Sequence, residues 1–124
     1  MKKQLTTPDA PAAIGPYSQG LEVSGMVFIS GQIPLCPKSG EMVTEITEAT
    51  HLVLKNMEAV LKSNGMSLDN VVKTTVFMVN MGQFHQMNEV YKKYFNPAFP
   101  ARSTLGVTTL PKGAVVEIEC IAMK

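Results

Sequence analysis

Tryptophan is missing from this sequence, histidine and cysteine occur twice each, and neither sign of charge dominates. Cys36 and Cys120 form no Cys-x-x-Cys pair, and His51 and His85 have no second ligand three or four residues away, so neither a zinc nor a dithiol motif can be assembled. The thiols read as free in a reducing compartment, and the histidines as surface or helix-packing residues. With 11 Lys and Arg against 10 acids, a net charge of +1 and no basic cluster, the chain lacks the footprint that phosphate neutralisation requires, and no nucleic-acid partner is expected. The longest apolar runs, such as Val76–Val79, are strand-sized, and Met1-Lys2-Lys3-Gln4 has neither the apolar stretch nor the cleavage site of a secretory signal. A soluble, cytoplasmic protein without a membrane partner is expected. Ser18, Ser30 and Ser103 lie outside any Gly-x-Ser-x-Gly elbow, and no phosphate-loop spacing runs from Gly15 to Gly31.

What is present fits one globular domain over residues 1–124, with 45% hydrophobic and 17% charged residues and no internal repeats. Three prolines and a glycine between Thr6 and Tyr17 make that stretch an ordered loop or an edge. Met26–Ile33 reads as a strand stopped by Pro34. From Thr44 as N-cap, Ile46, Ala49, Val53, Met57 and Val60 recur at helical spacing, which predicts a helix over 45–63 ending at Asn64-Gly65. Asn70–Val79 returns to strand composition, and Phe84, Met87, Tyr91 and Tyr94 predict a second helix over 83–95 before Pro97 and Pro100.

Arg102–Thr109 and Ala114–Met123 flank Leu110-Pro111-Lys112-Gly113 and read as a β-hairpin. In the last strand Ala114, Val116, Ile118, Cys120 and Ala122 form an apolar face for the helices to cover, and Glu117 and Glu119 share the other. A hairpin would set Gly106 opposite Glu117 and place Arg102 on Glu117's face, about 13 Å further along at ~3.3 Å per residue. The pattern predicts an α+β domain with helices on one side of a mixed sheet, and an opposite face that one domain cannot cover. Subunits are expected to pack there, with binding clefts between them. An arginine beside such a cleft suits a small carboxylate, which its planar fork holds through two parallel hydrogen bonds. Glu117 could place or deprotonate a water, and Glu119 has the same claim by alternation.

The motifs resemble one family closely. Ala10-Pro11-Ala12-Ala13-Ile14-Gly15-Pro16-Tyr17-Ser18-Gln19-Gly20, Ser30-Gly31-Gln32-Ile33-Pro34, Val72-Lys73-Thr74-Thr75-Val76-Phe77, Asn88 with Tyr91, Pro100-Ala101-Arg102-Ser103, Leu110-Pro111-Lys112 and Val116-Glu117-Ile118-Glu119 occur in the order seen in YjgF/RidA proteins, the reactive-intermediate deaminases. The resemblance implies a chorismate-mutase-like fold, two helices packed on one face of a mixed sheet, assembled as a homotrimer with intersubunit clefts. It implies hydrolysis of 2-imino acids and their enamines, such as 2-iminopropanoate and 2-iminobutanoate, to 2-keto acids and ammonia. By the same mapping Arg102 binds the carboxylate, Glu117 places the water, and Tyr17, Ser30, Gly31, Asn88 and Phe84 line the cleft. Many deaminating members carry cysteine two residues after the arginine, where this chain has Thr104, which is included as a substrate contact. Since such imines are already electrophilic at C2, no metal or cofactor is expected. A non-enzymatic regulator that binds a small carboxylic acid in the same cleft is the alternative. A ribonuclease or translation inhibitor ranks last on the charge argument.

Overall fold

A computed structural model describes residues 1–124 as six strands and two helices. The first helix, α1, runs Ile46–Lys62 and buries the predicted stripe Ile46, Ala49, Val53, Met57 and Val60 together with Leu54 and Leu61. Leu54 and Met57 are fully shielded from water, each contributing about 1.5–3 kcal/mol. The cap is one residue later than expected: Glu45, rather than Thr44, folds its carboxylate back to accept from the amides of Thr47 and Glu48 at 2.9 and 3.0 Å. The helix stops where Gly65 turns to φ +69° and the Met66 amide donates to the carbonyl of Leu61. The second helix, α2, runs Phe84–Phe95 and buries Met87, Val90, Tyr91 and Phe95. His51 packs between the helices, its Nδ1 2.9 Å from the Tyr94 hydroxyl.

The strands are β1 (Lys3–Leu5), β2 (Gly20–Val23), β3 (Met26–Gln32), β4 (Val71–Met78), β5 (Ala101–Gly106) and β6 (Val116–Met123). They form one mixed sheet in the order β1-β2-β3-β6-β4-β5, with only β4 and β5 parallel. The short edge strand β1 carries no pattern that predicts it; pairing with β2 makes it a strand. The expected hairpin does not form. The last strand β6 lies between β3 and β4, and β5 pairs with β4, so β4 separates the two proposed hairpin arms. The turn residues do reverse the chain, but the connection over 107–115, with its one turn of 3-10 helix at Pro111–Gly113, is long enough to pass a strand about 5 Å wide.

That insertion changes which residues share a face. Thr74 of β4 is opposite both Arg102 and Cys120, whereas Phe77 is opposite both Leu105 and Glu117. Arg102 therefore belongs to the row of Thr74 and Cys120, on the side covered by the helices. Glu117 belongs to the open side with Phe77. The expectation that they share a face is wrong, because β5's phase is set by its pairing with β4 and not by a turn. The apolar face of β6 behaves as predicted: Val116, Ile118, Cys120 and Ala122 are buried beneath the helices. Burial pushes the Cys120 thiol up to about 12. The open face exposes Phe28, Leu105 and Met123 beside Glu119.

Candidate functional site

The sequence-derived site residues fall into two groups on one chain. The first surrounds a cleft of about 530 Å³ lined by, among others, Tyr17, Ser30, Gly31, Lys112, Glu117 and Glu119. Its floor is an irregularity in the sheet. Between Ile29 and Gln32 the β3–β6 register shifts, so Ser30 and Gly31 leave the regular ladder. Ser30 is tied down there, its hydroxyl donating to the Ser18 carbonyl at 2.5 Å and its amide to the Gln19 carbonyl at 3.0 Å. Gly31 lets Glu117 lie against the backbone: a Cβ on Gly31 would stand 2.7 Å from the Glu117 carboxyl carbon and 3.0 Å from its Cγ.

The half-buried Glu117 carboxyl is held above the ordinary carboxylate range, first by loss of water and second by the negative charge of Glu119. Glu119 lines the same cleft but is exposed. Tyr17 is exposed at the cleft mouth, on a loop anchored by a residue to which sequence reasoning assigned no role. Gln19, buried, accepts from the Thr7 amide at 2.7 Å and donates to the carbonyls of Thr7, Ala10 and Pro11 at 3.1, 3.3 and 2.8 Å. One amide side chain thus takes over the hydrogen bonding of a proline-rich segment that cannot pair in a sheet. Lys112 was likewise given no role; it lines the cleft from a left-handed backbone conformation, φ +57°.

The second group lies on the helix side at the far edge of the sheet. Phe84, Asn88 and Tyr91 recur at i, i+4 and i+7 on α2 and form one stripe facing β5. The Arg102 guanidinium rests on that stripe, 4.7 Å from the Tyr91 ring centre and 5.5 Å from that of Phe84. Its Nη1 donates to Asn88 Oδ1 at 2.7 Å. Tyr91 is fixed in turn by a 2.6 Å hydrogen bond between its hydroxyl and that of Thr74, the residue opposite Arg102 on β4. Neither ion pair of the chain, Lys92–Glu89 nor Lys124–Glu22, involves Arg102. With one of its five N–H groups committed to a neutral amide oxygen, the fork remains available to an anion. Tyr91 was recognised within the motifs but not as part of the site; the helical spacing from Phe84 and Asn88 was the signal that could have placed it there.

The structure thus brings Arg102, Asn88, Phe84 and Thr104 to one face, and Tyr17, Ser30, Gly31 and Glu117 to the other end and opposite face of the sheet. It does not bring the two sets together within one chain. No three His, Cys, Asp or Glu side chains converge in a way that could hold a metal ion, and no helix is long and apolar enough to cross a membrane.

Residues 7–124 match the family model described as Endoribonuclease L-PSP. The chain belongs to the YjgF/RidA family. It is 46% identical over 125 residues to mouse 2-iminobutanoate/2-iminopropanoate deaminase, covering all of this chain and 93% of the mouse protein. It is 50% identical over 121 residues to AldR of Lactococcus lactis, named as a regulator, covering 97% of this chain and 96% of that protein. The crystal structure of Escherichia coli TdcF with bound serine superposes with a TM-score of 0.95 at 42% identity, over 98% of both chains. Names within the family thus range from enzyme to regulator.

Proposed function

We propose that this chain hydrolyses 2-imino acids and their enamine tautomers to 2-keto acids and ammonia, in clefts formed between the subunits of a homotrimer. The observation that carries this reading is the Arg102 guanidinium, laid on α2 with most of its donors free and no carboxylate of its own chain to pair with. An unpaired, oriented, half-buried guanidinium is a binding site for a small planar carboxylate. Its complement is the Glu117 cleft, which has an acid but no guanidinium. Since the two half-sites occupy opposite faces and the sheet's open face is uncovered, apposition of one copy's β5 edge with another's Glu117 cleft supplies a complete site.

The chemistry then follows from the residues. Arg102 holds the carboxylate and so fixes C2 of the protonated imine. Water adds to C2 while the Glu117 carboxylate takes its proton, giving a carbinolamine. Returning that proton to nitrogen makes it a leaving group; as the C–N bond breaks, the hydroxyl on C2 gives its proton to the Glu117 carboxylate and becomes the carbonyl, and the departing ammonia carries that proton away as ammonium. A carboxyl lifted towards neutral pH is a better base than an ordinary one and remains able to give the proton back. Such imines hydrolyse unaided, so each ~1.4 kcal/mol gained by orientation is a tenfold acceleration over a modest barrier. The name of the mouse relative and the serine bound to TdcF both support a small amino-acid-derived ligand.

The test is a coupled assay in which a dehydratase releases 2-aminoacrylate or 2-aminobutenoate from serine or threonine. This protein is expected to accelerate keto-acid and ammonia appearance; an unchanged rate refutes the reading. The similarity to AldR favours one alternative, a carboxylate-binding regulator that uses the same arginine. Saturable binding of a 2-keto acid without acceleration in that assay would establish it. A ribonuclease is less well supported, because the chain offers near-neutral charge and no basic stripe for a phosphate backbone.

A further inference from the structure

Along the helix-covered side of β4 the row reads Thr74, Val76, Met78, and all three are fully buried. An alcohol in such a row is unfavourable unless it finds a partner. Thr74 finds one, a 2.6 Å hydrogen bond with the hydroxyl of Tyr91 on α2. Its place in the sheet gives that bond a second meaning, because the residue opposite Thr74 on β5 is Arg102. The contacts close a circuit of three residues. Strand pairing sets the Arg102 backbone beside Thr74, the Thr74 hydroxyl holds the end of the Tyr91 side chain, and the Tyr91 ring centre lies 4.7 Å from the Arg102 guanidinium.

Packing alone would fix the Tyr91 ring less closely. Phe95, one turn further along α2, lies against it with ring centres 4.7 Å apart and planes tilted by 39°. Apolar contact of this kind is non-directional and lets a ring slide, whereas a short hydrogen bond between two hydroxyls fixes both distance and direction. A guanidinium rests on the negative face of a ring, so a ring that slides takes its cation with it. Stability gives no reason for the two hydroxyls, since valine and phenylalanine would fill the same space with no polar group to satisfy. Thr74 has no exposed surface and touches no ligand itself. We infer that Thr74 is a positioning residue for the carboxylate site: through Tyr91 it sets where the Arg102 fork points. This rests on the site proposed above.

The experiment separates placement from stability. Thr74→Val and Tyr91→Phe each leave one buried hydroxyl without a partner, and each is expected to melt roughly 5–10 °C below the wild type. The double variant T74V/Y91F leaves none and is expected to recover most of that loss. Thr74→Ser keeps the hydroxyl but loses a buried methyl, so it should also melt lower. Affinity is expected to follow the hydrogen bond and not the melting temperature. In calorimetric titration of 2-oxobutanoate, a keto acid that the proposed reaction releases and does not consume, T74V, Y91F and the double variant should each bind about tenfold more weakly, while T74S stays within about threefold of wild type. In the coupled dehydratase assay the three weak binders should raise KM more than they lower kcat, because the Glu117 half of the site is untouched. Binding by the double variant within twofold of wild type overturns the inference, because the two hydroxyls would then serve the fold alone. So does T74S binding as weak as that of T74V, which would place the effect in packing of the methyl. Failure of the wild type to bind 2-oxobutanoate at all overturns the carboxylate site itself and, with it, this inference.

Discussion

Replacing Gly31 with alanine is expected to slow deamination about 100-fold while leaving the fold intact. The added Cβ would stand 2.7 Å from the Glu117 carboxyl carbon and closer still to its nearer carboxylate oxygen, where ordinary contact begins near 3.4 Å, so the carboxylate must retreat by about 1 Å. A displacement of that size from a reacting centre costs about 10²-fold, or ~2.7 kcal/mol of barrier. Stability changes little. Gly31 has no left-handed backbone to strain in alanine, and the group that yields is the end of a half-exposed side chain, so the loss is below about 1 kcal/mol, or at most ~5 °C in melting temperature. Turnover is measured in the coupled dehydratase assay, beside a thermal melt. The decisive comparison is a double-mutant cycle: in Glu117→Gln, adding Gly31→Ala should cost little further, because the group it displaces no longer accepts a proton. Turnover of G31A within threefold of wild type, or the same penalty in both backgrounds, refutes the idea that Gly31 acts by seating Glu117.

Three further outcomes are expected. Arg102→Ala should lower kcat/KM by about 10²- to 10⁴-fold through loss of two charge-assisted hydrogen bonds, with an unchanged circular dichroism spectrum, because the guanidinium packs on α2 and anchors no buried charge; near-normal activity would remove the proposed anchor. Glu117→Gln should cut kcat by about 10²- to 10⁴-fold with little effect on KM. In the wild type, activity should rise with pH through a Glu117 pKa lifted above its ordinary 4.5, and that acid limb should disappear in the variant. Because the folded pKa is the higher one, protonation of Glu117 favours folding; that contribution is complete below about 4.5 and fades as pH rises through the raised value, so E117Q should melt higher than wild type at neutral pH and not at pH 3. Finally, Gln19→Ala should cost about 2–3 kcal/mol in urea unfolding and raise KM, since four hydrogen bonds that hold the loop bearing Tyr17 are lost.

Much of the fold, and a set of candidate site residues, can be read directly from the chain. The helices appear within a residue of their predicted spans because a 3.6-residue period of apolar side chains reports burial of one face wherever the helix packs. The alternation of Val116, Ile118, Cys120 and Ala122 reports the buried side of β6 in the same local way. Cysteine spacing, charge balance and motif order also need no third dimension. The choice between Glu117 and Glu119 was beyond alternation, since both have the same parity; packing against Gly31 at a register shift buries one and leaves the other in water.

Strand neighbours were decided only by tertiary structure. A turn sequence specifies that the chain reverses, not that the reversed strand pairs with the one before it, and here β4 occupies the gap. Because side chains alternate with a period of two, the partner that fixes β5's phase also fixes which face Arg102 occupies, and pairing with β4 moves it to the side opposite Glu117. The sequence by itself therefore nominated the residues proposed to carry the chemistry; the sheet order decided that one chain holds them as two separate halves.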